Sequence, residues 1–255
     1  MDKKRHAKEL LRKTIGKYPN IAVACSFGKD SMVTVDIARS VYPEIPIFSI
    51  MTQYKPRETF EYLVEMDKKM NLNTTVYMVA DKIPEILSNY NIKTILLPTD
   101  EFHLAQKNIS NDLHRIEPDT CCKLLKVNPT KIAVKDLDAW IAGLRNTEGR
   151  IREDYKEIEF KGGLVKVNPI LTFTEEDVLN YLKDHNIPLH PWYLKEYPDG
   201  RKYRSLGCAP CTNPIAIDVP ERMGRWQETS KCGGECGIHT QILKNMNPKP
   251  IHLKN

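Results

Sequence analysis

Long apolar runs are missing from this 255-residue sequence. None approaches the roughly 18–20 residues that a membrane-spanning helix needs, which excludes such a helix. Internal repeats and low-complexity tracts are also absent, and with 41% hydrophobic and 28% charged residues the chain is neither collagen-like nor wholly disordered. The opening MDKKRHAKELLRK is charged and heptad-like and lacks the apolar centre of a signal peptide. The expectation is a soluble, cytoplasmic protein with no membrane partner. Charge of one sign is in short supply too: 38 Lys+Arg against 33 Asp+Glu leave only +5, with the two signs interspersed. So modest an excess points to an anionic partner, and a small phosphorylated or sulfated ligand would satisfy it as well as nucleic acid would; the mixed signs do not favour a nucleic-acid partner, and none is expected. What is present is cysteine, seven of them. An odd count in a cytoplasmic chain argues against a disulfide framework and for metal or thiol chemistry.

The first half alternates short apolar runs with amphipathic stretches. Strands are expected at 20–25, 45–50 and 74–79, and an apolar run at 93–97. Helices are expected at about 31–40, 57–70 and 83–90, and a further buried strand at 137–144 ending in Arg145. This alternation predicts an α/β fold, a mostly parallel twisted sheet with helices on both faces. After the charged stretch RIREDYKEIEFKGG comes an apolar run at 164–171. Thr174 can then N-cap a helix, with Asp177 three positions on. From Pro188 the chain is rich in Pro, Gly, Cys and Tyr and has little periodicity. The organisation expected is an α/β core over 1–190, an irregular cysteine-bearing segment over 191–245 packed on the same domain, and a flexible tail over 246–255.

Between the first strand and its helix stands Cys25-Ser26-Phe27-Gly28-Lys29-Asp30-Ser31. At a strand's carboxyl end, a helix N-terminus offers unpaired N–H groups to an anion. Gly28 allows close approach, Ser26 and Ser31 add hydroxyls, and Lys29 adds a cation. An ordinary strand-to-helix turn capped by Ser31 is the plainer alternative; its place after the first buried strand favours anion binding. The string resembles the SGGKDS loop of the PP-loop nucleotide-pyrophosphatase superfamily, which implies an adenine nucleotide.

Four further cysteines form two pairs, Cys121-Cys122 and Cys208-Ala-Pro-Cys211. A CxxC turn aims two thiolates at one point, and with the distant vicinal pair it completes a soft donor set for zinc or an iron–sulfur cluster. Buried apolar cysteines are the alternative, but Cys208 and Cys211 lie where a core is hardest to build.

Around these cysteines the resemblance sharpens. The run Cys121 to Pro129, CCKLLKVNP, is similar to the CCxxxKxxPL segment of the iron–sulfur adenylyl-sulfate reductase family. Leu206 to Thr212 resembles its GCxPCT, Glu221 to Trp226 its ERxGRW, and Glu235 to His239 its closing ECGLH. The blocks stand in the family's order, and Cys236 follows Cys211 by 236 − 211 = 25 residues, as in the family. The resemblance implies a [4Fe–4S] cluster on Cys121, Cys122, Cys208 and Cys211, with Lys126 between cluster and substrate. It implies Cys236 as nucleophile toward the sulfur of adenylyl sulfate or 3′-phosphoadenylyl sulfate. AMP or its 3′-phosphate leaves, an S-sulfocysteine forms, and thioredoxin or a similar dithiol then releases sulfite. The dithiol is expected to be a separate molecule. Ser26, Phe27, Gly28, Lys29, Ser31, Lys126, Arg145, Arg222, Arg225 and His239 are the expected substrate-binding residues, the cations offsetting the sulfonate's negative charge.

Alternatives remain at several positions. Lys126 could be a surface lysine and the two arginines exposed helix neighbours. Cys236 could be a further metal ligand beside Cys232, although Gly233-Gly234 suits a segment that swings in and out. Cys232 is an extra cysteine that could act as a resolving thiol, and Cys25 reads as packing. Lys29, Asp30 and Ser31 lie closer to the nucleotide-hydrolysing branch, so an ATP-dependent nucleotidyltransferase or tRNA-thiolating enzyme is the second reading; a zinc-bearing nucleic-acid module is the third. Met51 to Thr59 departs from the family's LDTG and FPET. Its Lys55 and Arg57 tilt the reading toward a 3′-phosphorylated donor. A homo-oligomer is allowed but not required.

Overall fold

The structure is a computed structural model, and it describes residues 2–109, 112–161, 163–232 and 234–240. The expected tail over 246–255, and residues 241–245 of the expected cysteine segment, lie outside the described residues. In chain order the elements begin with α1 (Lys3–Lys17), β1 (Ile21–Ala24), α2 (Lys29–Val41), β2 (Ile47–Thr52), α3 (Arg57–Met70) and β3 (Thr75–Val79). There follow α4 (Glu85–Asn89), β4 (Thr94–Leu97), α5 (Asp100–Asn108), α6 (Leu113–Ile116) and α7 (Pro118–Cys122). A π-helical turn, Lys123–Val127, joins α7 to α8 (Asn128–Ala133). The remaining regular elements are β5 (Ala139–Ala142), β6 (Ile158–Lys161), β7 (Leu164–Val167), α9 (Glu175–Asp184) and α10 (Gly237–Thr240).

The strands make one seven-stranded sheet in the order β4-β3-β2-β1-β5-β7-β6. Pairs β1–β2, β1–β5, β3–β4 and β5–β7 are parallel, and β6 joins β7 antiparallel. Every residue of β5 and of β7 is buried, so both faces of the sheet are covered there. The fold is thus α/β with a mostly parallel sheet, as the alternating pattern predicts. The antiparallel edge falls inside the charged stretch before residue 164, where no strand was expected. Its outward Ile158 and Phe160 are exposed, and its Glu159 pairs with buried Lys166 of β7, so charge hid the alternation.

By compactness the described chain forms two units. One comprises the residues up to Ser49 with Ala133–Leu189, and the other Ile50–Ile132 with the residues from His190 onward. In the first unit α2 packs against α1 and α9. The predicted cap of α9 is present: Thr174 Oγ1 accepts from the Asp177 amide at 3.1 Å while Asp177 Oδ2 accepts from the Thr174 amide at 2.7 Å. In the second unit, the chain after His190 has only short helical turns and isolated bridges, such as Thr212 with Arg225. No helix among the described residues is long and apolar enough to cross a membrane.

Candidate active site

Strand order reverses direction on either side of β1, between neighbours β2 and β5, and the carboxyl ends of β1 and β5 carry the first candidate site. After β1 the chain turns through Phe27, whose φ of 60° is uncommon for a bulky residue, and whose ring is fully buried. Gly28 is the N-cap of α2 and no side chain caps that end, so the helix presents backbone N–H groups there. Ser26 is exposed, and its hydroxyl donates to Ser31 Oγ at 3.3 Å. Ser31 is buried and donates to the Gly28 carbonyl at 2.9 Å.

The cations of this unit turn inward. Lys29 Nζ lies 3.6 Å from Glu175 and 3.7 Å from Asp30, with its side chain 1% exposed. Arg145, immediately beyond β5, is fully buried; its Nε donates to Asp30 at 2.5 Å and its guanidinium to Thr147 at 3.0 Å. Burial works against the Asp30 charge, but Lys29 and then Arg145 outweigh it and hold the carboxyl below its ordinary value. A Cβ at Gly143 would stand 2.8 Å from the Asp30 carbonyl oxygen, so only glycine lets the end of β5 meet the first turn of α2. The structure thus brings together Ser26, Phe27, Gly28, Lys29, Ser31 and Arg145. It presents a hydroxyl and amides at the loop, while Lys29 and Arg145 form the frame behind it.

The second candidate site lies wholly in the other unit. Cys121 and Cys122 end α7, and Cys208 and Cys211 flank a 3-10 turn that Pro210 helps to fix. All four are buried and line one small cavity with Tyr54, His114, Lys126 and Trp226. The Cys208 sulfur is 3.2 Å from the Thr52 hydroxyl, and the Ala209 amide donates to the Tyr54 carbonyl at 2.7 Å. The donor set is crowded: burial, then the neighbouring Cys208 and Cys211, push the Cys121 thiol up to about 12. Such thiols ionise together only around a cation, which is the condition for a metal site. Among the described residues no three potential ligands converge closely enough to hold a single ion.

Lys126 is carried into this nest by the π-helical turn. Burial disfavours its charge, but the sulfurs of Cys208, Cys236 and Cys122 outweigh that and raise its pKa. The second cation, Lys55, falls to about 8, from burial first and from the charge of Lys126 second. Arg57 instead is solvent-exposed and pairs with Glu61 at 2.7 Å, one helical turn away.

Cys236 packs against the cysteine cluster, with the Cys122 thiol donating to its sulfur. That contact, opposed by burial and supported by Lys126, lowers the Cys236 thiol to about 5. The two predicted arginines hold this region in place. Arg222 donates to the Gly234 carbonyl at 2.7 Å and to Glu235 at 3.1 Å, and Glu235 accepts from the Cys236 amide at 2.9 Å. Arg225 donates to the carbonyls of Cys211 at 3.2 Å and Leu206 at 2.8 Å. A Cβ at Gly207 would fall 2.1 Å from the guanidinium, so a larger residue there would displace the end of the Arg225 side chain. Trp226, at φ 52°, faces Arg225 at 4.4 Å, Lys231 at 5.3 Å and Arg222 at 5.8 Å. His239 lies in α10, its amide donating to the Cys236 carbonyl at 3.0 Å. The second unit therefore gathers Cys121, Cys122, Cys208, Cys211, Cys236, Lys126, Arg222, Arg225 and His239 around one centre.

Sequence reasoning passed over Glu235, Thr52 and Tyr54. Glu235 stands beside Cys236 and carried a signal: a carboxylate next to the expected nucleophile, with arginines upstream, has to be paired if it is buried. Thr52 and Tyr54 gave none, because only the sheet brings the end of β2 to the CxxC turn.

Fold and sites define a class, a PP-loop α/β enzyme with a phosphate-type loop and a buried thiol centre. The chain belongs to the phosphoadenosine phosphosulfate reductase domain family, whose model matches residues 20–214. It is an oxidoreductase that acts on a sulfonucleotide. It is similar to the adenosine 5'-phosphosulfate reductase of Lysinibacillus sphaericus, 32% identical over 240 residues that cover 92% of this chain and 91% of that one. A second such reductase, from Halalkalibacterium halodurans, is 30% identical over 221 residues, covering 86% and 84%. The crystal structure of phosphoadenylyl-sulfate reductase from Candida auris, a phosphate complex, aligns with a TM-score of 0.61 at 20% identity, over 82% of this chain and 90% of that one. At that identity it speaks for the fold.

Proposed function

We propose that the protein reduces adenylyl sulfate to sulfite and AMP through an S-sulfocysteine on Cys236. The observation that carries this reading is the Cys236 sulfur held beside buried Lys126 and against a cluster of thiols, four of which line one cavity. The Cys236 thiolate attacks the sulfate sulfur, an S–S bond forms, and the S–O bond to AMP breaks with its electron pair leaving on the phosphate. An external dithiol of the thioredoxin kind then attacks the Cys236 sulfur and sulfite departs. Sulfur gains two electrons and the two thiols lose them.

Lys126 offsets the charge of the sulfonate as the thiolate approaches. Ser26, the exposed hydroxyl of the glycine loop, and the amides at Gly28 and Ser31 receive the nucleotide phosphate, with Phe27 and Lys29 fixing the loop's shape and Arg145 tying it to β5. Arg222 and Arg225 act as positioning residues, the first for the Cys236 segment and the second for the CxxC turn. His239, whose amide donates to the Cys236 carbonyl, is assigned to the same anion. The tilt toward a 3′-phosphate rested on Lys55 and Arg57; Arg57 is paired outward with Glu61, which favours the unphosphorylated donor.

Cys121, Cys122, Cys208 and Cys211 would hold a [4Fe–4S] cluster. Four buried thiols around one cavity make the soft donor set that such a cluster takes. Such a group ties α7 to the CxxC turn and adds to the charge that Lys126 faces. Seven cysteines, all free, suit a reducing compartment such as the cytoplasm.

The test is a sulfite assay with adenylyl sulfate, its 3′-phosphorylated form and ATP side by side, with a dithiol present. Sulfite should come from adenylyl sulfate and pyrophosphate should not come from ATP. Cys236→Ser should lose sulfite formation entirely while keeping iron and AMP binding; full turnover by that variant sinks the assignment.

A further inference from the structure

A cavity of about 460 Å3 opens in the second unit, at the carboxyl ends of β3 and β4. That volume falls in the range of small-molecule sites, about 300–1,000 Å3, and ligands of open α/β sheets gather outside these same strand ends. Val79 and Leu97, partners in the last register of the two strands, line one side. Phe102 of α5 and Leu124 of the π-helical turn line the others. Ile132 of α8 also lines it and stands 48% exposed at the mouth. None of these residues has a part in the reaction described above.

Two lining residues are charged, and both are acidic. Asp100 and Glu101 open α5, are exposed, and take part in no ion pair or side-chain hydrogen bond among the described residues. The amino end of a helix carries only about half a positive charge, so two carboxylates leave the mouth negative. An apolar interior behind a negative rim selects an apolar body with a cationic head and repels nucleotides and sulfate. The Phe102 ring and the flat faces of Pro98 and Pro129 suit a planar, aromatic body. Behind the lining lies the thiol centre. Val79 and Phe102 belong to one buried cluster with Cys121 and Leu125, and Leu97 and Leu124 pack against it. Leu124 and Leu125 stand in the same π-helical turn as Lys126. An occupant would therefore touch both the side chains that pack on Cys121 and the turn that aims the ammonium.

We propose that this cavity binds an organic cation, an amine on an aromatic body, and that its occupancy is felt at Cys236 through the π-helical turn. The amine meets Asp100 and Glu101 at the mouth while the ring lies against Phe102 and Leu124. Cys236 feels the occupant because Lys126, beside its sulfur, shares a turn with Leu124.

The experiment is titration calorimetry of the full, iron-loaded chain at neutral pH with three probes of similar shape: tryptamine, neutral tryptophol and anionic indole-3-propionate. One tryptamine per chain is expected to bind. An exposed ion pair strengthens binding only a few-fold, so the two carboxylates together should favour tryptamine over tryptophol about tenfold, with indole-3-propionate weakest. Asp100→Asn combined with Glu101→Gln should bring tryptamine down to the level of tryptophol. Ile132→Trp, a change at a half-exposed position, should fill the mouth and abolish binding of both, with iron content unchanged. No binding of tryptamine, equal binding of all three probes, or full binding by Ile132→Trp each overturns the site. The coupling is read by the rate at which iodoacetamide alkylates Cys236, located by peptide mass. Saturating tryptamine should change that rate about fivefold in the wild type and leave it unchanged in Ile132→Trp. An unchanged rate in the wild type, or the same change in both, overturns the coupling. Neither readout depends on sulfite formation, so the site can fail while the reductase reading stands.

Discussion

The two candidate sites are built in opposite ways. The glycine loop belongs to a unit of regular strands and helices, where β1, β5 and α2 set every backbone position. The thiol centre belongs to a unit whose later chain has almost no regular structure, and there side chains do the holding. Arg225 binds two carbonyls of the CxxC loop, Arg222 and Glu235 bracket Cys236, and Trp226 lies amid three cations. Each site contains a bulky residue in the left-handed region, Phe27 in one and Trp226 in the other, a strain of order 1–3 kcal/mol that the surroundings must impose. A phosphate needs only amides at a helix end, which a scaffold supplies as a by-product of folding. A reactive thiol needs charges placed atom by atom, and an irregular chain places them more freely.

The contrast predicts unequal responses. Cys208→Ser should have the largest effect: iron per chain should fall close to zero and the 190–240 stretch should become protease-sensitive, while AMP affinity changes far less. Equal loss of both would mean that the two units do not differ in what holds them. Next in size is a pH effect on the irregular unit. His190 is buried, its Nδ1 accepting from the Trp192 amide at 3.1 Å and its Nε2 lying 3.0 Å from the Thr59 hydroxyl. Burial, with Lys55 second, lowers it from 6.5 to about 4. Its neutral form is favoured in the folded state, so its contribution is whole above pH 6.5 and is lost as pH falls toward 4, about 3 kcal/mol in all. Denaturant titrations at pH 7.5 and 5 should show this slope in the wild type and a shallower one in His190→Asn.

Gly143→Ala tests the regular unit. The added methyl meets backbone rather than a movable side chain, so α2 should shift and AMP affinity should fall about tenfold at a cost of about 1–3 kcal/mol; iron content should stay unchanged, as calorimetry and iron analysis would show. Thr174→Ala should do least, removing about 1 kcal/mol of stability in a thermal melt with no change in sulfite turnover. A larger loss would mean that α9 supports more than its own end.

The same contrast explains what was legible beforehand. The positions of β1, β2, β3 and the α9 cap could be read because their signals are local: period, apolar run, capping pair. The antiparallel strand β6 was hidden by its charges, which pair across to buried Lys166 instead of facing solvent. At the thiol centre the residue types were readable but the partners they take in the fold were not. Arg222 and Arg225 read as anion binders because arginine is suited to that, yet each donates to backbone carbonyls that lie close only after folding. Lys29 likewise reads as a ligand cation and lies paired with Glu175, a partner 146 positions away (175 − 29).

The π-helical turn at Lys123–Val127 has a consequence for how this chain can drift. Such a turn holds one residue more than a regular helical turn, and that surplus sets the direction in which Lys126 projects. Removing one residue from Lys123–Leu125 would let the helix relax to its usual winding and swing the Lys126 ammonium about 100° around the axis, away from the sulfurs. The stretch can therefore tolerate exchanges of letters more readily than a change of length.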